Sequence, residues 1–226
     1  MKIGVLGTGL VGQTLARKLA ELGHSVFVGT RDPAETLART GTDRYGNPPF
    51  KQWREQHPKV DFGRLANAAA HGEVIINATN GVATMDALDA AGEKNLAGKV
   101  VVDVANPLDF SKGMPPSLTV CNTDSLGEQI QRRFPKAKVV KTLNTVNASV
   151  MVAPGAVAGG DHTIFVSGND AVAKKTVSDI LRQFGWKDIV DLGDITTARG
   201  TEMLLPIWVR LWGVVGSPMF NFKVAR

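Results

Sequence analysis

The tightest constraint on this chain is a glycine spacing close to its start. Residues 2–6 form a short apolar run rich in β-branched residues, the composition of a buried strand. The run leads directly into Gly7-Thr8-Gly9-Leu10-Val11-Gly12, a G-x-G-x-x-G spacing. Val11, Leu15, Leu19 and Leu22 then recur about one helical turn apart, and Gly23 supplies a C-terminal stop. Residues 25–29, SVFVG, read as a second strand. A lone glycine spacing says little, but one lying between a strand and a helix belongs to a βαβ unit.

A dinucleotide pyrophosphate needs main chain around it more than side chains. Gly7 permits the tight turn, Gly9 lets the backbone approach the phosphates, and Gly12 lets helix and strand pack closely. Thr8, Leu10 and Val11 complete a loop whose N–H groups and helix dipole attract negative charge. The end of the second strand then selects the nucleotide. An NAD site places an acidic side chain about 20 residues past the turn, on the ribose 2′-OH. Here Thr30 and Arg31 stand 18 and 19 residues beyond Gly12. A hydroxyl beside a guanidinium suits a 2′-phosphate, because arginine offers a planar fork of donors. A solvated arginine at a strand end is the plainer alternative, and Asp32 could face a ribose instead. The expectation is NADP(H).

With 226 residues the chain can bury a sizeable core as one compact unit. Its formal charge of +5 suits an anionic ligand. The basic residues are dispersed, with no run interleaved with aromatics, which argues against nucleic acid. The one cysteine, Cys121, excludes a disulfide framework and reads as a half-buried structural thiol. His24, His57, His71 and His162 lack metal-ligand spacing, so no metal site is expected. The apolar stretch 204–215 is interrupted by Pro206 and Arg210 and is too short to span a bilayer. The glycines near the N-terminus mark a phosphate turn rather than a signal peptide. A cytoplasmic protein without membrane contact is the expectation.

Further along, a short helix is expected over 33–39. Residues 40–58 read as a loop with one turn-rich helix at 50–56, carrying Tyr45, Phe50 and Trp53, that shields the sheet edge or, as the alternative, forms part of a ligand or subunit surface. Helices follow at 65–70, 86–96 and 125–134. Strands at 73–78, 100–104 and 138–143 end in Thr79-Asn80-Gly81, Ala105-Asn106-Pro107 and Asn144-Thr145-Val146-Asn147. In an open parallel sheet these ends form the rim where ligands bind. Neutral amides there suit a nicotinamide carboxamide and ribose hydroxyls, although asparagine is also a common strand-end turn residue.

Beyond residue 150 come a strand at 162–167, a helix at 171–184, a strand at 188–192 and an apolar helix at 196–213. That last helix is expected to be core or a homodimer face. The alternation implies an α/β, Rossmann-type doubly wound and mainly parallel sheet. Residues 1–150 would form the NADP-binding domain, with 151–226 a small C-terminal α/β part packed on it. No acid–base dyad or nucleophile is evident. Hydride transfer between a nicotinamide and a flavin-like ring needs mainly two rings held close and water excluded. Asn144, Thr145 and Val146 would flank those rings.

The opening segment, together with NATNG at 77–81, VDVANPL at 102–108, KTLNTVN at 141–147, MLLPIWVRLWG at 203–213 and FNFKV at 220–224, resembles the family of NADPH-dependent reductases of the deazaflavin coenzyme F-420. The resemblance spans essentially the whole chain. It implies that Thr30 and Arg31 bind the 2′-phosphate, that 144–147 walls the nicotinamide and deazaflavin rings, and that F-420 is the co-substrate. Archaeal members of that family carry histidine and proline where Asn144 and Asn147 stand. Similar asparagine-bearing segments occur in the reductase domain of membrane ferric reductases, which pass hydride to FAD. FMN or FAD is therefore the alternative acceptor, and a non-catalytic NADP-sensing module the alternative of another class.

Overall fold

A computed structural model of the protein describes residues 1–42 and 46–226. The first half runs β1 (Lys2–Leu6), α1 (Leu10–Glu21), β2 (Ser25–Thr30), α2 (Pro33–Ala38), α3 (Phe50–Gln56), β3 (Asp61–Arg64), α4 (Leu65–His71) and β4 (Val74–Asn77). The chain continues through α5 (Thr84–Ala91), α6 (Glu93–Leu96), β5 (Val100–Asp103), β6 (Leu108–Asp109), β7 (Ser117–Leu118), α7 (Leu126–Arg133), β8 (Lys138–Thr142) and α8 (Ala148–Val152). It ends with β9 (Thr163–Gly168), α9 (Ala171–Phe184), β10 (Asp188–Asp191), α10 (Ala198–Met203) and α11 (Leu205–Val215).

Eight strands form one sheet in the order β10-β9-β8-β5-β4-β1-β2-β3. Every pairing is parallel except β8 with β9. The order of β3, β2, β1, β4 and β5 about the first strand is that of a doubly wound nucleotide-binding sheet, with its crevice above the carboxyl ends of β1 and β4. β9 and β10, from the 151–226 segment, extend this same sheet.

Side chains alternate between two apolar layers, as the period of a strand requires. Ile3, Val5, Val74, Ile76, Val102 and Val140 meet α1, α8 and α9 on one face. Leu6, Ile75, Val101 and Val139 meet α4, α5 and α7 on the other. Because both faces are covered, the central strands read as unbroken apolar runs.

Several sequence expectations need correction. The four residues of β3 carry no apolar alternation, and they become a strand by pairing along β2 at the sheet edge. The single helix expected over 86–96 is two, broken at Gly92, whose φ of 91° leaves the helical region. The single helix expected over 196–213 is also two. α10 ends at Met203 and α11 restarts with Pro206 in its first turn, where a missing N–H costs nothing. A two-stranded ribbon of β6 and β7, not anticipated, overhangs the end of β5. Cys121 is exposed rather than half-buried, because it lies in the loop leading from β7 to α7. In the 40–58 segment α3 forms as expected, burying Phe50 and Trp53 against Phe62 of β3. Tyr45 lies outside the described residues.

Candidate active site

Two clefts lie on the carboxyl rim of the sheet. The first, of about 290 Å³, is lined by Gly7, Thr8, Gly9, Thr30, Arg31, Thr79 and Asn80, with Asp32, Glu35, Thr36 and Arg39 at one end. Its floor explains the glycine spacing. Gly7 has φ 118°, and a Cβ on Gly12 would stand 2.1 Å from the Gly7 carbonyl oxygen, so α1 could not pack against the turn. A Cβ on Gly9 would meet nothing within 4 Å, because that position opens into the cleft. Gly9 is also the N-cap of α1 and has no side chain to cap it. The first N–H groups of α1 are thus left to a ligand, which is the fit a pyrophosphate requires. Leu10 is exposed and borders a neighbouring cleft with Thr8, Gly9 and Gln13; Val11 is half-buried.

At the end of β2, Thr30 shares a 2.9 Å hydroxyl contact with Thr36. Arg31 is exposed and makes no hydrogen bond or ion pair with another described residue. The Asp32 carboxylate is occupied: it accepts from the Glu35 N–H at 3.0 Å and caps α2.

The second cleft, of about 550 Å³, is predominantly apolar. One wall is α11, which turns Leu205, Trp208, Val209 and Trp212 inward. Those positions follow i, i+3, i+4, i+7, a single helix face. The β6–β7 ribbon contributes Leu108, Phe110, Met114 and Pro116, and the rim contributes Asn106, Asn144 and Val146. Ile207, Val214 and Val215 of α11 are exposed instead. The sequence reading treated this helix only as core or interface, although its spacing already marked out the wall.

The walls of the two clefts touch where the chain after β4 packs against the chain after β5. A Cβ on Gly81 would lie 1.9 Å from the Asn106 carbonyl oxygen, so only glycine lets these segments approach. Asn80 lines the first cleft, and Asn106 the second.

The rim asparagines are largely engaged with the protein itself. The Asn106 amide donates to the Asn144 carbonyl at 2.8 Å, and the Asn144 amide donates to Asn106 Oδ1 and to the Thr201 carbonyl, both at 3.0 Å. Both Asn144 amide hydrogens are used, which leaves Oδ1 as its polar atom without a hydrogen bond. Asn80 and Asn147 cap the turns that follow them, by accepting from Val82 and Ser149. Thr145, Ala105 and Pro107 are buried behind the rim rather than lining either cleft. Leu143 adopts φ 60° although it is bulky and buried, a conformation that costs roughly 1–2 kcal/mol and turns the chain sharply into Asn144.

Beneath this rim lies a buried ionic cluster that sequence reasoning missed. Strand register places Asn77 opposite Asp103, and Asp103 opposite Lys141, on three neighbouring strands. The Lys141 ammonium donates to Asp103 Oδ2 at 2.8 Å, to the Ala105 carbonyl at 2.6 Å and to Glu202 Oε1 at 2.8 Å. Asp103 Oδ1 accepts from the Asn77 amide, and the Glu202 carboxylate accepts from the Leu126 and Gly127 N–H groups that open α7. Burial alone would lower the Lys141 pKa, but the Asp103 and Glu202 charges outweigh it and the net direction is upward. A lysine inside an apolar strand was visible in the sequence. Its partner on α10 was not.

Among the described residues no cluster of His, Cys, Asp or Glu could hold a metal ion, and no helix is long and apolar enough to cross a membrane. The sheet order, the uncapped α1 terminus and the cleft above it define a dinucleotide-binding protein of the Rossmann type. The family model described as "NADP oxidoreductase coenzyme F420-dependent" matches residues 2–107. A crystal structure of an Arthrobacter sp. FB24 protein, described as a candidate F420-dependent NADP-reductase, is 62% identical over the full length of both chains, with a TM-score of 0.96. The chain therefore belongs to this family and is an NADP-dependent oxidoreductase. The F420-dependent NADP reductase of Methanocaldococcus jannaschii is 29% identical over 93% of this chain and 92% of its own length. The rat metalloreductase STEAP3 is 28% identical over 92% of this chain, which spans only 38% of that protein.

Proposed function

We propose that this protein transfers hydride between NADP(H) and coenzyme F-420, each held in one of two adjoining clefts. The observation that carries this reading is the junction at Gly81 and Asn106, where a polar nucleotide cleft opens beside an apolar one. Thr30 and Arg31 hold the 2′-phosphate, and the Gly7–Gly12 loop with the first N–H groups of α1 holds the pyrophosphate. Thr79, Asn80 and Asn106 guide the nicotinamide end toward Asn144 and Val146, with Ala105, Pro107 and Thr145 packed behind them.

The bound nucleotide supplies the hydride. The protein's own contribution is alignment and dryness: Trp208, Trp212, Leu205 and Val209 wall a space within the range typical for small-molecule sites. Among the described residues no side chain on this rim is poised as an acid or base; the hydride passes from carbon to carbon without one, and the proton that completes reduction of the acceptor ring comes from solvent. Asn144 Oδ1 offers an acceptor at the junction, and Asn106 fixes its orientation.

Membership of a family described as coenzyme F420-dependent supports F-420 as the acceptor. The test is NADPH oxidation with F-420, FMN and FAD supplied separately, each followed at the acceptor's own absorbance. Turnover with F-420 at a rate well above either flavin is expected. Turnover with FMN or FAD alone would move the protein to flavin or ferric reduction, and no turnover with any acceptor would favour a sensing role.

A further inference from the structure

Four charged side chains ring the adenosine end of the nucleotide cleft: Arg31, Asp32, Glu35 and Arg39. Their formal charges cancel, which is unexpected at a subsite for a dianionic group. Asp32 is tied down as the cap of α2. Arg31 has no partner among the described residues. Arg39 differs from both. It is the residue that closes α2, four positions beyond Glu35 and already extended in backbone, and it donates from Nη2 to Glu35 Oε1 at 2.8 Å.

That pair is exposed, with 59% of the Arg39 side chain and 66% of the Glu35 side chain open to solvent. Exposed pairs of this kind contribute little and exchange readily. Arg39 also borders the neighbouring cleft formed with Thr8, Gly9 and residues 40–42, so it lines both clefts that the phosphate loop opens into. A phosphate monoester, with close to two negative charges and three acceptor oxygens, is a stronger partner for a guanidinium than one solvated carboxylate.

We propose that Arg39 is a second ligand of the 2′-phosphate, and that Glu35 holds it at the cleft until the phosphate displaces the carboxylate. Glu35 then tempers the preference for NADP over NAD, because every binding event must break its ion pair. The proposal rests on reading Thr30 and Arg31 as the 2′-phosphate pair.

Calorimetric titration with NADP+ and NAD+, which differ by the 2′-phosphate alone, tests it without turnover. Arg39→Ala is expected to weaken NADP+ about tenfold, near 1.4 kcal/mol, and leave NAD+ unchanged. Arg39→Lys should recover part of the loss. Glu35→Gln should act in the opposite direction, tightening NADP+ several-fold, which no merely structural loss on α2 would do. An Arg39→Ala variant that binds both nucleotides as before, or loses both equally, overturns the proposal, and so does a Glu35→Gln variant that fails to gain. If Arg31→Ala loses NADP+ while Arg39→Ala does not, the two-residue site stands without Arg39. If neither arginine affects NADP+, the 2′-phosphate assignment itself falls.

Discussion

Replacing Lys141 with methionine is expected to cost about 3–5 kcal/mol of folding stability, because Asp103 and Glu202 are left charged, buried and facing one another. All three side chains are buried, and each hydrogen of the ammonium has an acceptor. The second substitution Glu202→Gln should return only part of the loss: it removes one unpaired charge, but the Leu126 and Gly127 N–H groups donate to different carboxylate oxygens and a glutamine keeps one acceptor for the two. Chemical denaturation of the two variants beside the parent checks both statements. A loss below about 1 kcal/mol for Lys141→Met would mean that the cluster is not ionised as described.

The pH dependence follows from the sign of the shift. A lysine whose folded pKa is raised contributes stability that is fully present below the unfolded value. That contribution is lost as pH rises through the folded value, so it should fade only in strongly alkaline solution, above the ordinary value of 10.5.

Arg31→Ala is expected to raise the dissociation constant for NADPH at least tenfold while leaving that for NADH nearly unchanged. A charge-assisted hydrogen bond to phosphate contributes about 1.5–3 kcal/mol, and the exposure of Arg31 argues for the lower end. Its side chain has no other described partner to lose, so the substitution should not disturb the fold. Nucleotide fluorescence on binding gives both constants. Equal weakening of the two nucleotides would place the 2′-phosphate elsewhere.

The parts of the molecule legible in the sequence are those where a local pattern determines the outcome. The β1–α1–β2 unit follows from glycine spacing and helical period, and α3 and α9 appear at the residues expected. The parts that were not legible depend on contacts across long stretches of chain. β3 exists because β2 offers an edge, not because its four residues favour a strand. The break before α11 turns on Pro206, which has no N–H to continue the hydrogen bonding of α10 and so stands in the first turn of a new helix. Glu202 meets Lys141 only in the folded chain. The rim asparagines are legible only in part: residue type suggested ligand contacts, and the fold adds that Asn106 and Asn144 also bond each other while Asn80 and Asn147 cap turns.

Direct passage of hydride between the two clefts is the centre of this account, and an isotope label follows it. NADPH deuterated at the nicotinamide C4, one epimer at a time, is incubated with the protein and F-420, and the reduced deazaflavin is weighed by mass spectrometry. The acceptor carbon of a deazaflavin forms a C–H bond that does not exchange with water, so deuterium transferred as deuteride is retained. One epimer should deliver its deuterium to F-420 and the other should not, because the nucleotide presents a single face to the apolar cleft. Reduced F-420 free of deuterium from both epimers would contradict direct transfer.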